Sequence, residues 1–362
     1  MAKRVLVVGA GIIGASVAWH LTGFDCEVTI VDAGDGGGLA TRNSFAWINA
    51  SWGNPEWYFH FRRRSMAGWR NLERSVPGLS VDWCGGLLWD LPQAELAAYA
   101  QEHAGWGYGI RTVDRDEALK IEPGLKNPPE LALHVAEEGM LEPVAASNSL
   151  LAAAVARGAR FIDRTEAMSL HFHAGRVAGI ETTDGETLLA DEVLITAGAE
   201  TARLLETAGV NLAIDAPPGL IAHSTISDRK LLNGLVMTPD FHVRQTREGR
   251  LIIGTDFAGG DPGGRDREMA TSLLDNVRTM VGGAEGLERD FLTVGYRPTP
   301  RDGYPAIGRP DGVHGIYVAV LHSGVTLAPV VGELAAWEIA TDLRDADLAP
   351  YDPNRSTLRP SP

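Results

Sequence analysis

The hydrophobic pattern at the start of the chain predicts a strand, a helix and a second strand. Four consecutive apolar residues, 5–8, are typical of a buried parallel β-strand. A helical pattern then runs to Leu21 and ends at Gly23, a residue type that commonly ends helices. A second strand pattern, 27–32, ends in an acidic residue. This order of elements predicts an α/β protein.

Three glycines with the spacing G-x-G-x-x-G connect the first strand to the helix. Gly9 permits the tight turn, Gly11 lets a pyrophosphate approach the backbone, and Gly14 lets the helix pack closely on the strand. Asp32, at the end of the second strand, is placed to accept hydrogen bonds from a ribose. The unit therefore predicts a Rossmann-like dinucleotide site, with the helix N-terminus facing the phosphates.

Two other interpretations of this segment are weaker. A glycine-rich turn that binds nothing does not explain why three spaced glycines and a terminal acid occur together. A secretory signal peptide is suggested by Lys3 and Arg4 before an apolar stretch, but that stretch has no small-residue cleavage site and runs directly into a second strand. Dinucleotide binding is the interpretation that we retain.

The rest of the chain alternates between helical and strand patterns. An apolar face repeats at helical spacing over 57–76, and Arg62 and its arginine neighbours fall mostly outside it. Because the chain is acidic, we expect these arginines to form a solvated face rather than a basic binding patch. Further helices are predicted within 93–120 around a glycine-rich turn, at 142–157, within 261–281, and from Ser323 to Leu343 with Pro329 in its first turn. Strands are predicted within 81–91, as a meander over 160–182, from 192 into small residues, over 217–257 as antiparallel strands, and at 315–320.

A second glycine-rich loop, 34–38, follows Asp32 and leads into small hydroxyl and amide residues up to Ser44. Backbone N–H groups and hydroxyls beside a nucleotide site are suited to further phosphate contacts. The alternative is an ordinary solvent-exposed loop.

Composition narrows the class of protein. The 362 residues suggest about two domains, and a net charge of −15 argues against nucleic acid or an anionic membrane surface as a partner. No apolar run reaches the ~18 residues needed to span a membrane. Two cysteines provide neither a disulfide framework nor a metal cluster, so we expect no metal and a reducing compartment, the cytoplasm.

Two motifs near the end of the chain resemble a known family. The segments Arg297-Pro-x-x-x-Asp302-Gly-x-Pro305-x-Ile-Gly308 and Ser323-Gly-Val-Thr-Leu-Ala-Pro329 look like those of the glycine oxidase, sarcosine oxidase and D-amino-acid oxidase family of flavoproteins. The resemblance implies FAD rather than NAD, bound in an extended conformation. It also implies a Rossmann-like FAD-binding domain over 1–78, 138–212 and 297–350, a discontinuous substrate domain over 79–137 and 213–296 on an antiparallel or mixed sheet, and a C-terminal tail, 351–362.

The resemblance also implies which residues contact the cofactor. Gly9 to Gly14 would hold the pyrophosphate, Asp32 the adenosine ribose and Ala167 the adenine. The N-terminus of the last helix would face the flavin pyrimidine, where reduction places negative charge. The full set is Gly9, Gly11, Ile12, Ile13, Gly14, Asp32, Ala33, Ala40, Thr41, Arg42, Asn43, Ser44, Phe45, Ala46, Trp47, Ala167, Thr196, Ala197, Gly198, His322, Ser323, Gly324, Val325 and Thr326.

For the substrate, Arg297 matches the family's arginine that binds a carboxylate through two hydrogen bonds. The alternative for this arginine is a surface or inter-strand salt bridge. His242 replaces an active-site tyrosine and can take a proton from an ammonium group, although an ordinary strand histidine is an equal alternative. Arg244 lies two residues further along the same strand and so shares its face. We expect Arg297 and His242 to be catalytic, and Trp47, Asn49, Arg244 and His322 to line the substrate pocket.

The implied reaction is oxidation of an amino acid or secondary amine that carries a carboxylate, by hydride transfer to flavin N5, followed by hydrolysis of the imine. No cysteine lies near Arg297 or His322 in the sequence, so FAD is expected to bind non-covalently. The oxygen-activating lysine of the sarcosine oxidase branch has no obvious counterpart, which leaves O2 or another molecule as the electron acceptor. The alternatives are a flavin subunit that passes electrons to a partner or quinone, and an NAD-linked dehydrogenase.

Overall fold

The structure is a computed structural model that describes residues 2–51, 53–255 and 264–358 of the chain. Parts of the predicted strands over 217–257, of the predicted loop and helix within 261–281, of the tail 351–362 and of the segment 1–78 lie outside the described residues.

The helices and strands have the following bounds. The helices are α1 (Ile12–Leu21), α2 (Leu39–Arg42), α3 (Glu56–Ser75), α4 (Gln93–Gly105), α5 (Arg115–Ile121), α6 (Pro143–Ala156), α7 (Thr201–Glu206), α8 (Asp266–Met280) and α9 (Gly324–Thr341), with 3-10 turns at Gly198–Glu200, Ala346–Tyr351 and Ser356–Leu358. The strands are β1 (Lys3–Val8), β2 (Cys26–Val31), β3 (Trp47–Ile48), β4 (Gly86–Leu88), β5 (Ile110–Asp114), β6 (Leu131–Val135), β7 (Gly139–Met140), β8 (Arg160–Ile162), β9 (Ala167–His173), β10 (Arg176–Thr182), β11 (Thr187–Leu189), β12 (Glu192–Ile195), β13 (Ile214–Asp215), β14 (Pro218–Ile226), β15 (Leu235–Met237), β16 (His242–Gln245), β17 (Arg250–Gly254), β18 (Arg289–Tyr296), β19 (Thr299–Pro300), β20 (Ala306–Gly308) and β21 (Ile316–Val320).

In the described part of the chain, one sheet has six strands in the order β20–β21–β12–β1–β2–β8. Strand β1 pairs in parallel with β12 on one side and with β2 on the other, while β20 runs antiparallel to β21. The predicted opening unit is confirmed, because β1, α1 and β2 follow one another as the hydrophobic pattern indicated.

Alternating residues of β1 bury against two different layers. Val5 and Val7 belong to the core that includes α1 and α9, whereas Leu6 and Val8 belong to a core shared with β9, β10 and α7. A strand buried on both faces reads as an unbroken apolar run, which is why 5–8 shows no polar alternation. The position of β1 at the centre of the sheet places the glycine turn at the carboxyl edge of the strands.

A second sheet has eight strands among the described residues, in the order β18–β14–β17–β16–β15–β4–β6–β5. Most neighbours are antiparallel, but β15 pairs in parallel with β4, so the sheet is mixed. The predicted fold class is therefore confirmed: an α/β protein with a second, mixed sheet. The predicted domain boundaries stay a prediction.

Two strand assignments differ from the sequence patterns. Strand β8 was expected in the meander, but it pairs in parallel with β2 and extends the first sheet. Strand β5 occupies part of the stretch 93–120 that was expected to hold two helices and a turn, because it completes the edge of the second sheet beside β6. Both assignments depend on pairing partners distant in sequence, which local patterns do not contain. Within the described residues, no helix combines the length and apolar character needed to cross a membrane.

Candidate active site

The turn between β1 and α1 is formed by close packing around two glycines. Gly9 has a φ of +104°, and a Cβ there would lie 2.5 Å from the carbonyl oxygen of Thr196. A Cβ on Gly14 would collide with the carbonyl oxygen of Gly9. The Thr196 hydroxyl lies 2.9 Å from the carbonyl oxygen of Val8 and 3.0 Å from that of Gly9, to which it can donate. Contacts within the protein therefore require Gly9 and Gly14.

Gly11 differs from these two glycines. A Cβ here would have Thr41 Oγ1, at 3.4 Å, as its nearest neighbour, and the φ of −70° suits any residue. Packing within the protein does not explain this glycine, and the space beside it borders the first turn of α1, where N–H groups lack helical partners. The pyrophosphate of a dinucleotide fits there, because it would meet N–H donors and the positive end of the helix.

The carboxylate of Asp32 joins the turn to the second glycine-rich loop. Its Oδ2 accepts the Ala10 N–H at 2.7 Å, and its Oδ1 accepts the Gly34 N–H at 2.8 Å. A carboxylate offers about four lone-pair sites, so both oxygens keep capacity for ribose hydroxyls. The ribose contact of Asp32 stays a prediction, and the same holds for its neighbour Ala33.

The second glycine-rich loop continues through α2 and reaches the second sheet. The Ile12 N–H donates to Thr41 Oγ1 at 3.1 Å, which holds α2 against the dinucleotide turn. On its other side the loop packs on β18, since a Cβ on Gly295 would lie 2.5 Å from Asn43 Cβ. Strand β18 ends one residue before Arg297. The predicted cofactor residues 40–46 therefore lie near the predicted substrate residue, Arg297. The predicted contacts in this loop are Ala40, Thr41 and Arg42 in α2, then Asn43, Ser44, Phe45 and Ala46.

The start of α9 has an unusual backbone. Ser323 has a φ of +59° and directly precedes the helix, and its carbonyl oxygen accepts the Leu327 N–H at 3.1 Å. Pro329 was expected in the first turn, but it lies further inside the helix. Because proline has no N–H, it leaves the carbonyl oxygen of Val325 without its helical donor, and Trp69 Nε1 of α3 donates to that oxygen at 2.9 Å. A side chain of α3 thus fixes the first turn of α9.

His322 directly precedes this end of the helix, and Arg297 lies close enough for its charge to act on the imidazole. Burial, together with the nearby charges of Arg297 and Arg62, lowers the pKa of His322 to about 4. The imidazole is therefore neutral at neutral pH. A Cβ on Gly219 would lie 2.6 Å from the Arg297 guanidinium carbon, so this glycine of β14 makes room for the guanidinium. The structure brings the two predicted residues together, while their roles toward a substrate stay predictions.

His242 and Arg244 both lie beside Phe45, as two residues on one face of a strand should. The rings of His242 and Phe45 are 6.2 Å apart. Arg244 is 2% exposed and donates to the carbonyl oxygen of Phe45 at 2.6 Å and to the carboxylate of Glu142 at 3.2 Å. Burial lowers the pKa of its guanidinium. Arg244 therefore fixes the backbone at Phe45, next to the predicted cofactor residues 40–46. The strand pattern did not indicate this role.

Arg62 was expected in a solvated helix face, and this expectation was wrong. It is 5% exposed, because the segment after the second glycine-rich loop lies against α3. Its Nε donates to the backbone carbonyl oxygen of Asn49 at 3.1 Å, and its Nη2 donates to Asn49 Oδ1 at 2.7 Å. The Asn49 N–H donates to the hydroxyl of Thr326, at 3.4 Å, in the first turn of α9. Arg62, Asn49 and α9 thus form one buried group.

Glu138 is a buried acid that sequence reasoning missed. It is fully buried, and it accepts from Trp47 Nε1 at 2.8 Å, from Ser51 Oγ at 2.9 Å and from the Tyr108 hydroxyl. Burial raises its pKa to about 7, against the opposing effect of these donors and of Arg62. A lone glutamate before a short apolar strand offers no pattern by which it could have been found. Glu138 anchors both ends of the segment 47–51, which contains Asn49.

The raised pKa of Glu138 predicts a pH-dependent contribution to stability. Between pH 4.5 and about 7 the folded protein binds the Glu138 proton more readily than the unfolded chain does, so this contribution is full below the window and lost above it. The free energy of unfolding of the wild type, relative to Glu138→Gln, should therefore fall as the pH rises through this window. Denaturant unfolding at several pH values measures it, with Glu137→Gln as a neighbouring charge control. Parallel pH profiles for wild type and Glu138→Gln would contradict the assignment.

The remaining predicted cofactor residues lie at the ends of several elements. Gly198 has a φ of +60° and begins a 3-10 turn directly after Thr196 and Ala197. Ala167 begins β9 on the far side of the sheet, where its carbonyl oxygen accepts from Arg203 at 3.0 Å. Ile12, Ile13 and Gly14 open α1, and Gly324, Val325 and Thr326 open α9.

Comparison with known proteins agrees with this arrangement. The family model described as "FAD dependent oxidoreductase" (DAO) matches residues 4–337. The chain is 27% identical to the uncharacterized oxidoreductase YurR of Bacillus subtilis, covering 97% of this chain and 98% of that protein. It is also 27% identical to glycine oxidase of Pseudomonas putida, covering 98% and 99% of the two chains. The crystal structure of glycine oxidase from Geobacillus kaustophilus superposes with a TM-score of 0.83 at 24% identity, covering 98% and 99%.

The family match runs from β1 into α9 and so includes both halves of the candidate site. It agrees with the space beside Gly11 that suits a pyrophosphate. These observations identify the cofactor as FAD. The chain belongs to the DAO family of FAD-dependent oxidoreductases.

Proposed function

We propose that this protein oxidises the C–N bond of an amino acid or secondary amine that carries a carboxylate. The observation that carries the proposal is the position of Arg297, which lies directly after β18, over Gly219 and beside the neutral His322. An arginine can bind a carboxylate through two parallel hydrogen bonds, which fixes orientation as well as position. The full-length relative named glycine oxidase supports the same substrate class.

In this proposal FAD, when bound, accepts the hydride from the carbon next to nitrogen. The chain binds and orients the substrate. In this proposal Arg297 holds the carboxylate, and His242 takes the proton of a substrate ammonium group. The first turn of α9 presents N–H groups and a partial positive charge, which stabilises negative charge nearby by roughly 0.3–2 kcal/mol. Because His322 is neutral, it adds no second positive charge beside Arg297 at neutral pH.

We further propose that FAD is bound non-covalently and that the protein is cytoplasmic. Both cysteines are free, and burial raises the pKa of the Cys84 thiol to about 12, which leaves it unreactive. Cys26 begins β2 at the end opposite the glycine turn. Neither thiol is placed near Arg297 in the sequence or is activated for a thioether bond. The alternative is a flavin subunit that serves a larger dehydrogenase complex. It is not favoured, because the chain aligns over 98% of its length with a glycine oxidase, although D-amino acid dehydrogenases are also among its relatives.

The proposal is tested by anaerobic titration of the purified yellow protein with a panel of amines, each paired with its decarboxylated counterpart. We expect at least one amino acid or N-substituted amino acid to bleach the flavin absorbance, and its decarboxylated counterpart to bleach it far more slowly. Reoxidation by air or by a dye then identifies the acceptor class. Equal bleaching by both members of every pair, or bleaching by none, would overturn the proposal.

A further inference from the structure

The hydrogen bond between Arg62 and Asn49 fixes the orientation of the Asn49 side-chain amide. A guanidinium has donors and no acceptor, so the Asn49 atom 2.7 Å from Arg62 Nη2 must be the amide oxygen. The amide nitrogen Nδ2 therefore points away from Arg62. Within the described residues Nδ2 donates to no protein group, and it is not one of the fully buried polar atoms that lack a partner, so it keeps some accessible surface although Asn49 as a whole is 2% exposed. A donor that is held in one orientation at the border of open space inside the protein is available to an acceptor on a bound molecule.

The backbone around Asn49 is fixed on every side. Arg62 Nε holds its carbonyl oxygen, and the Thr326 hydroxyl accepts its N–H and donates to the carbonyl oxygen of Trp47 at 3.1 Å. Glu138 ties Trp47 and Ser51, two residues before and two residues after Asn49. An amide held so tightly cannot turn to find another partner, and its orientation is built into the fold.

The location of this amide connects it to the candidate site. Thr326 belongs to the first turn of α9, three residues after Ser323. The positive charges of Arg62 and Arg297 both lower the pKa of His322, so both arginines lie near this end of the helix. The centre of the Tyr58 ring, also in α3, lies 5.6 Å from the Arg62 guanidinium carbon. Asn49 thus lies where the cofactor loop, α3 and the flavin-facing end of α9 meet.

We propose that Asn49 donates a hydrogen bond from its side-chain amide to an acceptor oxygen or nitrogen bound in this site, and that Arg62 is the positioning residue that fixes the amide as a donor. This inference rests on the proposed function and adds a specific recognition contact to it. Two bound molecules offer such an acceptor, the carboxylate of the substrate and the polar edge of the flavin ring. The contact would select against a ligand that presents a donor at this point.

The test uses the FAD-loaded protein and three variants. Asn49→Asp keeps an oxygen for Arg62 and replaces the donor with an acceptor. Asn49→Ala removes the donor without adding charge. Arg62→Lys cannot reach both oxygens of Asn49 and so releases the amide. Arg74 and Asn71 form an exposed Arg–Asn pair on the same helix, with Arg74 Nη2 donating to Asn71 Oδ1, so Asn71→Asp and Arg74→Lys are matched controls.

Two measurements distinguish the possible acceptors without requiring turnover. Flavin difference spectra give the Kd of acetate as a carboxylate probe, and the oxidised spectrum and reduction potential report on contacts to the flavin ring. If the substrate carboxylate is the acceptor, acetate Kd should rise about tenfold or more in Asn49→Asp and Asn49→Ala, with a smaller rise in Arg62→Lys. If the flavin is the acceptor, its spectrum and potential should shift in the same variants while acetate Kd stays constant.

Either pattern, with unchanged controls, supports the proposal. Unchanged Kd, spectrum and potential in Asn49→Ala would overturn it, even if Asn49→Asp shows an effect, because that effect would then come from the added charge. If Asn49→Asp does not fold, Asn49→Ala and Arg62→Lys still decide the matter. Failure of the proposed function is distinguishable, since it would show as no bleaching of the wild-type flavin by any amine while these binding measurements remain possible.

Discussion

Replacing Arg297 with alanine should lower kcat/KM for a carboxylate substrate by about 2–5 kcal/mol of transition-state stabilisation, the cost of removing one partner from a charge pair that bound substrate would bury. Arg297→Lys should also lose activity, because an ammonium keeps the charge but lacks the planar two-point contact that orients the substrate. FAD content should stay normal, since the dinucleotide turn and the start of α9 are separate segments. Steady-state kinetics with an amino acid and its decarboxylated amine measure the effect.

The decarboxylated amine should be affected much less, because it has no carboxylate to lose. Arg301→Ala is the matched control, since that arginine is exposed and lies four residues further along the same segment. Equal losses for the acid and the plain amine would show that Arg297 does not bind the carboxylate. A general amine oxidase or dehydrogenase would then be the better account.

Replacing Gly11 with alanine should yield a folded protein that retains little FAD. The added Cβ has no atom of the protein closer than 3.4 Å, and the backbone of Gly11 already has a φ of −70°. It would occupy the space that the pyrophosphate needs, and overpacking of this kind costs about 1–3 kcal/mol. The absorbance ratio of flavin to protein measures occupancy, and thermal unfolding of the FAD-free protein measures the fold.

Gly14→Ala provides the contrast. Its Cβ would collide with the carbonyl oxygen of Gly9, so this variant should lose stability even without FAD. We therefore expect the two variants of one motif to differ: Gly11→Ala should lose cofactor binding, and Gly14→Ala should lose folding stability. A Gly11→Ala protein that holds FAD as tightly as the wild type would falsify the assignment of the space beside Gly11 to the pyrophosphate.

The opening unit was predictable because its information is local. The glycine spacing, the apolar run and the terminal acid all lie within about 30 residues, and each has a mechanical meaning. The motif around Arg297 was accessible through its resemblance to a family. The glycine at 219 that makes room for its guanidinium lies on another strand, and no pattern linked the two before the structure placed them together.

The missed parts of the site depend on contacts distant in sequence. The helical pattern of α3 correctly predicted its apolar face, yet Arg62 is buried because the segment around Asn49 covers that side of the helix. Glu138 is buried by donors that come from residues 47, 51 and 108. A charged residue in a helix or before a strand indicates solvent exposure by default, and only the tertiary partner reverses that expectation.

The strand order of the first sheet also determines when the chain can acquire its cofactor during synthesis. Strand β1 has β12 as one neighbour, β12 in turn pairs with β21, and the hydroxyl that closes the glycine turn comes from a residue 187 positions after Gly9. Ser16 of α1 donates to the carbonyl oxygen of Ala328, 312 positions further along the chain. The first elements to leave the ribosome therefore lack contacts that only the last elements provide. A nascent chain that does not yet include α9 has only part of the binding site. We therefore expect FAD to bind tightly only after the chain is complete. The contacts that complete the site around β1 close long loops, and such contacts are slow to form.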